Sequence, residues 1–408
     1  MNREALKVAF NATPLLSPVT GIGNYIIELG AALAASGTVD AYSFYRYRWR
    51  HEAPRPPLQG ASGRPSIAGR IKPFIPFRGT LRRAAHCLGF VRGLRRHRVE
   101  LYHEQNYVPL AYDVPVVITV HDLSWIRYPA SHPADRVKWL DRGLPKAIER
   151  AQAILVDSEF IRQEVLQTFG VPPERVRTAH LGVAAEFRPR TPAETAAALA
   201  PLGLAHGSYL LTVGTLEPRK NLRHVLDAFA MLPDALRERF PLVIAGAKGW
   251  HSSGLVTQLR RLGHRQVRFL GHVDASLLPQ LYAGAALFVF PSLYEGFGLP
   301  PLEAMASGAA VIVSDRASLP EVVGEAGAKM NQDDCADSAS RLQALLEDAA
   351  TRREMARLGL ARAAMFSWRA CADATFAAYC SALGRVAPGA IACTADRSGG
   401  MLDARGLS

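Results

Sequence analysis

The sequence has no long apolar run. Its most apolar stretch, residues 281–290, is ten residues long, whereas a helix needs about 20 to cross a bilayer, so a membrane-spanning chain is excluded. The N-terminus lacks the ordered basic region, apolar run and small-residue cleavage site of a secretory signal, and a cytoplasmic setting is expected. Cysteine is scarce: Cys87, Cys335, Cys371, Cys380 and Cys393 are odd in number, widely spaced and without a CxxC pair. Neither a disulfide framework nor a zinc site follows from that pattern. The strings HExxH, GxSxG and GxxxxGK followed by Ser or Thr are missing, which removes the simplest metalloprotease, α/β-hydrolase and P-loop assignments. Also missing is any Asp-x-Asp pair, the pattern by which many sugar-nucleotide enzymes hold a divalent ion.

Acidic residues are absent from one region altogether. Residues 64–98 contain ten Lys and Arg with no Asp or Glu, interleaved with Phe74, Phe77, Leu81, Leu88, Phe90 and Leu94, within a chain of net charge +12. A basic, partly amphipathic segment suits adsorption to anionic lipid head groups. A solvated loop and helix is the plainer alternative. Nucleic acid is disfavoured, since no RNP, zinc-finger or helix-turn-helix pattern accompanies the charge.

What is present is an ordinary globular balance, 49% hydrophobic and 21% charged over 408 residues, enough for two domains with large cores. Short β-rich runs alternate with helical patterns, the signature of βαβ units and parallel sheets. Strands are expected at residues 7–11, 101–103, 116–120 and 154–157 in the first half. The second half offers residues 209–214, 242–245, 267–270, 287–290 and 311–314. Residues 188–207, rich in Pro, Ala and Thr, read as a linker, and the Gly/Ala/Ser-rich tail after about 385 as disorder. The expected organisation is a first domain at 1–190, a second at 207–365, a short closing segment at 366–385, and the tail at 386–408. Two doubly wound α/β domains would face each other across a cleft, where open sheets bind ligands at their strand ends.

Four constellations sit at those ends. In residues 290–308 a buried strand leads into a glycine-rich turn, Pro300 and Pro301 pre-set a first helical turn, and Gly308 supplies a stop. Glu295 falls in the loop and Glu303 in that first turn, while Gly296 and Gly298 leave backbone N–H groups open. Two carboxylates beside exposed N–H donors suit a ligand with two sugar rings and phosphates, that is, a sugar nucleotide. Second, Arg219 and Lys220 follow a strand, with Asn221 as N-cap, and two adjacent cations can neutralise a diphosphate. Third, Gly21 and Gly23 lie in a turn before a helix from about Asn24, though Ile26 stands where GxGxxG has its third glycine. Fourth, His121-Asp122-Leu123 ends a strand and places a histidine at the cleft. His180 and His272 are weaker candidates of the same kind.

Together these strings resemble the retaining glycosyltransferases of the GT-B fold called family 4, or glycosyl transferases group 1. The resemblance runs from the Gly21 loop through Asp157-Ser158 and residues 246–250 to Ser318-Leu319-Pro320-Glu321 and Phe366-Ser367-Trp368. It implies that Glu295 holds hydroxyls of the transferred sugar, Glu303 the ribose, and Arg219 with Lys220 the diphosphate. Gly296, Phe297, Gly298 and Leu299 would border sugar and phosphate, Gly21 and Gly23 would approach the diphosphate, and His121 would lie near the reacting carbon. It also implies no cofactor and no metal, and a front-face substitution in which the leaving phosphate accepts the acceptor's proton. His121-Asp122-Leu123 and residues 246–250 look most like mannosyltransferases that build O-antigen or exopolysaccharide from GDP-mannose on a lipid-diphosphate carrier. Such an acceptor would put the protein at the inner face of the cytoplasmic membrane. Residues 328–333 depart from the family's more apolar run with a proline. Other donors (GDP-rhamnose, UDP-glucose, UDP-GlcNAc) remain open, as do a sugar-nucleotide epimerase, a catalytically silent binding protein and a pyridoxal phosphate-dependent phosphorylase.

Overall fold

The computed structural model describes residues 5–16, 21–56, 78–247 and 266–386, and the side chains of 78–84 are not described. The expectations for residues 64–77, Lys248 to Trp250, Cys393 and the tail beyond Val386 lie outside that range.

Two parallel sheets form the frame. The first comprises β1 (Leu6–Asn11), β2 (Val39–Tyr45), β3 (Arg48–Arg50), β4 (Leu101–Glu104), β5 (Val116–Val120), β6 (Ala153–Val156) and β7 (Val176–Thr178), in the order β3-β2-β1-β4-β5-β6-β7. The second comprises β8 (Leu210–Val213), β9 (Leu242–Ala245), β10 (Val267–Gly271), β11 (Leu287–Phe290), β12 (Val311–Ser314) and β13 (Ala328–Met330), in the order β10-β9-β8-β11-β12-β13. Only β3 runs antiparallel, on the edge beside β2. The central strands β5, β6, β9, β11 and β12 are buried throughout, which is why they read as near-continuous Val, Ile, Leu and Phe: helices cover both faces of a parallel sheet. This is the GT-B architecture, two Rossmann-like domains.

Each sheet reverses its winding once, between β1 and β4 in the first and between β8 and β11 in the second. Crevices open at such switch points. The loops after β8 and β11 carry Arg219, Lys220 and Glu295, so the sheet order itself brings together two motifs about 75 residues apart.

Four local expectations are refined. Residues 188–207, the expected linker, contain a helix, Pro192–Leu199, opened by a capping box in which Thr191 accepts from the Glu194 N–H and Glu194 reaches back. Gly21 and Gly23 are not in a loop, because the helix Gly21–Ala35 already includes them and Gly23 is buried. Asn221 stands at the N-cap position of the helix Leu222–Ala230 but makes no side-chain capping bond; it takes the left-handed conformation (φ 50°) and its Nδ2 donates to Gln332 Oε1 at 2.7 Å. Glu303 is the fifth residue of the helix Leu299–Ala306, one turn deeper than expected.

The last helix, Trp368–Ala382, packs against the Gly21–Ala35 helix and against β5 and β6, returning the chain to the first sheet. Its entry is tight. A Cβ on Gly182 would stand 2.1 Å from the Trp368 nitrogen, so only glycine fits there.

Candidate active site

A cavity of about 370 Å³ lies between the two sheets' strand ends, with Gly21, His121, Arg219, Lys220, Glu295 and Gly298 on its wall. At its floor Glu295 is held from three sides. Lys220 Nζ donates to its Oε1 at 2.6 Å, Arg219 Nη1 to its Oε2 at 3.1 Å, and Ser292 Oγ to Oε1 at 2.5 Å. Burial opposes its charge, but Lys220 and Arg219 prevail and hold the carboxyl below the usual glutamate range. Arg219 also donates to Glu217 Oε1 at 2.8 Å, and its Nε has no partner. A guanidinium among carboxylates keeps its charge, and its fork can turn to a bound diphosphate.

The facing wall belongs to the first sheet. His121 is buried at the end of β5 and its two ring nitrogens meet two acceptors: Nδ1 lies 2.8 Å from Asp157 Oδ2 and Nε2 2.9 Å from the Gln105 carbonyl. Burial alone would depress its pKa, but the neighbouring Asp157 carboxyl raises it above the ordinary histidine value. His121 and Asp157 thus form a buried hydrogen-bonded pair on the cleft wall, with Tyr25 and Tyr107 edge-on to the imidazole. Gly296 touches this wall directly: a Cβ there would be 1.8 Å from the His121 carbonyl oxygen.

The remaining expected residues divide. Phe297, Gly298 and Leu299 line the cavity, Gly298 with φ 118° at the start of the Leu299–Ala306 helix. Gly23 and Glu303 are not on the cavity wall. Glu303 accepts from Tyr282 Oη at 2.9 Å, and burial pushes its pKa up to about 7. His180 pairs with Glu321 at 2.7 Å and His272 is exposed; neither lines the cavity. Several wall residues were not foreseen: Tyr107, His132, Arg136 and Glu217. Of these Glu217 could have been, since it lies in the strand-end string of Arg219 and Lys220, as do Asp122 and Asp157, which also line the wall, in theirs. Among the described residues no cluster of three His, Cys, Asp or Glu could hold a metal ion.

Two family models match the chain, "Glycosyltransferase Family 4" over residues 19–187 and "Glycosyl transferases group 1" over residues 204–360. The O-antigen chain mannosyltransferase B of Escherichia coli is 38% identical over 382 residues, covering 92% of this chain and 99% of that protein. Among solved structures, a sucrose-phosphate synthase from Thermosynechococcus elongatus superposes with TM-score 0.70 at 22% identity, over 93% of this chain and 99% of that one. WaaG, a glycosyltransferase involved in lipopolysaccharide biosynthesis, gives TM-score 0.65 at 18% identity, over 91% and 98%.

Proposed function

The chain belongs to the glycosyl transferases of group 1 and family 4, and on that premise we propose that it transfers mannose from GDP-mannose, with retention of anomeric configuration, onto a lipid-linked or oligosaccharide acceptor. Glycosyl transfer in polysaccharide synthesis follows from the family and from the O-antigen relative; the donor, stereochemistry and acceptor are the proposal. The observation that carries it is the Glu295 cluster. Lys220 and Arg219 are placed to bind a diphosphate and, in turning to it, release a carboxylate for the hydroxyls of the attached sugar. His121, held by Asp157, lines the same space. With leaving-group charge met by Arg219 and Lys220, transfer needs orientation and electrostatic stabilisation, and no metal is required. Mannose is supported by the 38% identity to a mannosyltransferase.

In this reading residues 1–190 hold the acceptor and residues 207–365 the nucleotide sugar, with 366–385 tying the two together. The protein works at the cytoplasmic face of a membrane, held by its basic segment: Arg92, Arg95, Arg96 and Leu88 are exposed along the Arg78–Arg96 helix. No described helix is long and apolar enough to cross a membrane. Flotation with anionic vesicles that is lost at high salt would support this surface contact.

The deciding experiment incubates the purified protein, with EDTA present, with GDP-mannose, GDP-rhamnose, UDP-glucose or UDP-GlcNAc and a mannobiose acceptor, and assigns the product's anomeric linkage by NMR. An α-mannoside from GDP-mannose alone is expected. Transfer from a UDP-sugar instead, inversion at the anomeric carbon, or activity only after metal is restored would each overturn the corresponding part.

A further inference from the structure

The cleft contains a histidine that the donor site does not use. His132 follows the turn Pro129–Ser131, lines the cavity, is 9% exposed, and has no hydrogen-bond partner at either ring nitrogen. Buried polar atoms are normally paired, and an unpaired one costs free energy. One kept at a cavity wall is placed for a ligand that completes it.

Directly after it, the helix Ala134–Arg150 carries Asp135, Lys138, Trp139 and Arg142 at i, i+3, i+4 and i+7, one face of the helix. These four, with Val108, line a second open groove of about 470 Å³, in which Trp139 is 40% exposed. Residues adjacent in the chain line the cleft and the groove at two places. Tyr107 lines the cleft and Val108 the groove, and likewise Arg136 the cleft and Asp135 the groove.

We propose that His132 and the Trp139 groove form an acceptor track, in which His132 hydrogen-bonds the acceptor sugar at the reaction centre and Trp139 stacks on a sugar further along the same oligosaccharide. The proposal rests on the reading of the protein as a transferase with an oligosaccharide acceptor. A sugar ring has an apolar face and a rim of hydroxyls, which matches an exposed indole flanked by an acid and two bases. Asp135 in the groove opposes a diphosphate there. Between Ala134 and Trp139 the helix advances about 7.5 Å, a spacing for an oligosaccharide, whereas a monosaccharide would reach only one of the two.

The test measures binding of mannotetraose and of methyl α-mannoside by saturation-transfer NMR, without donor, to the parent, Trp139→Ala, Trp139→Phe and His132→Ala. The parent should bind mannotetraose about tenfold more tightly than the monosaccharide, a preference lost in Trp139→Ala and largely kept in Trp139→Phe. His132→Ala should weaken both ligands while leaving the thermal shift with GDP unchanged. No binding of mannotetraose to the parent, or equal binding to parent and Trp139→Ala, would falsify the track. A GDP-mannose thermal shift and turnover, read separately on the parent, report on the donor assignment alone.

Discussion

Glu295 and Glu303 stand eight positions apart and are both buried, yet their surroundings drive them in opposite directions. Two cations hold Glu295 ionised, while Glu303 has a tyrosine hydroxyl as partner and burial lifts its pKa to about 7. The family resemblance puts the ribose at Glu303, behind the present cavity wall; ribose hydroxyls donate, so contact there would favour the carboxylate and expel a proton. GDP affinity is therefore expected to rise with pH toward and through 7, with proton release measurable by calorimetry at pH 6–6.5 in buffers of different ionisation enthalpy and absent in Glu303→Gln. Stability should run the other way. A carboxyl whose folded pKa lies above its unfolded value is harmless below pH 4.5 and costs stability as pH rises toward 7, by at most about 3 kcal/mol. Glu303→Gln should flatten that slope in urea titrations. Glu295→Gln should lower kcat/KM at least about 100-fold, since it removes a charged partner from the sugar and unpairs Arg219 and Lys220. The pairing of Arg219 and Lys220 with the glutamate loop was legible because each motif announces a strand end. His132 was not: nothing in Pro129-Ala130-Ser131-His132 distinguishes a cleft histidine from a surface one until the turn orients it.

At the scale of elements, legibility followed unbroken apolar runs rather than burial. Strands with unbroken apolar runs such as β5 and β11 were expected, whereas β2 was missed because Asp40 and Ser43 interrupt its pattern. Ser43 is nonetheless fully buried, its hydroxyl donating to the Glu52 carbonyl at 2.7 Å. The strands β3, β7 and β13 were also missed; each has three residues and draws its identity from the neighbouring strand rather than from its own composition. The helix inside the expected linker carried its own signals: Thr191 and Glu194 spell the capping box, Pro192 suits the first helical position and the alanines after it favour helix. Where two elements meet through a glycine the consequence is sharper. Gly182→Ala would force a Cβ into the Trp368 backbone and prise the last helix from the first sheet. A loss of about 1–3 kcal/mol or more is expected in chemical denaturation. The control is Gly170→Ala, which has open space but φ 61° and should cost only the left-handed strain, about 1 kcal/mol.

For the whole molecule the question is what holds the two domains against each other, because the site is complete only when both walls face the cavity. Several contacts cross between them, the His180–Glu321 pair among them. Ser158 Oγ donates to the Gly296 carbonyl at 2.6 Å; Tyr294 Oη, which accepts from the Leu123 N–H at 3.0 Å, donates to Glu164; and Glu321 accepts from the Glu159 and Phe160 N–H groups at 2.8 and 3.0 Å. The last places a carboxylate from the second domain on the N-terminus of the helix Glu159–Phe169, where exposed N–H groups and the helix dipole favour negative charge. Burial opposes that charge, but His180 and the two backbone donors outweigh it and lower the Glu321 pKa below 4.5. The sign follows: the contact contributes fully above pH 4.5 and is lost as pH falls through the depressed value. Glu321→Ala removes the carboxylate at every pH while touching no residue of the cavity wall, so the site's own groups stay intact and only their apposition is relaxed. The variant should show a larger radius of gyration than the parent by small-angle scattering at pH 7, and a raised KM for the nucleotide sugar with little loss of fold. In an acid titration the parent should approach the variant's dimensions only as pH falls through that depressed value. A variant as compact as the parent at pH 7 would mean that the Ser158 and Tyr294 contacts suffice for closure, and Ser158→Ala combined with Tyr294→Phe would then be the pair that opens the cleft.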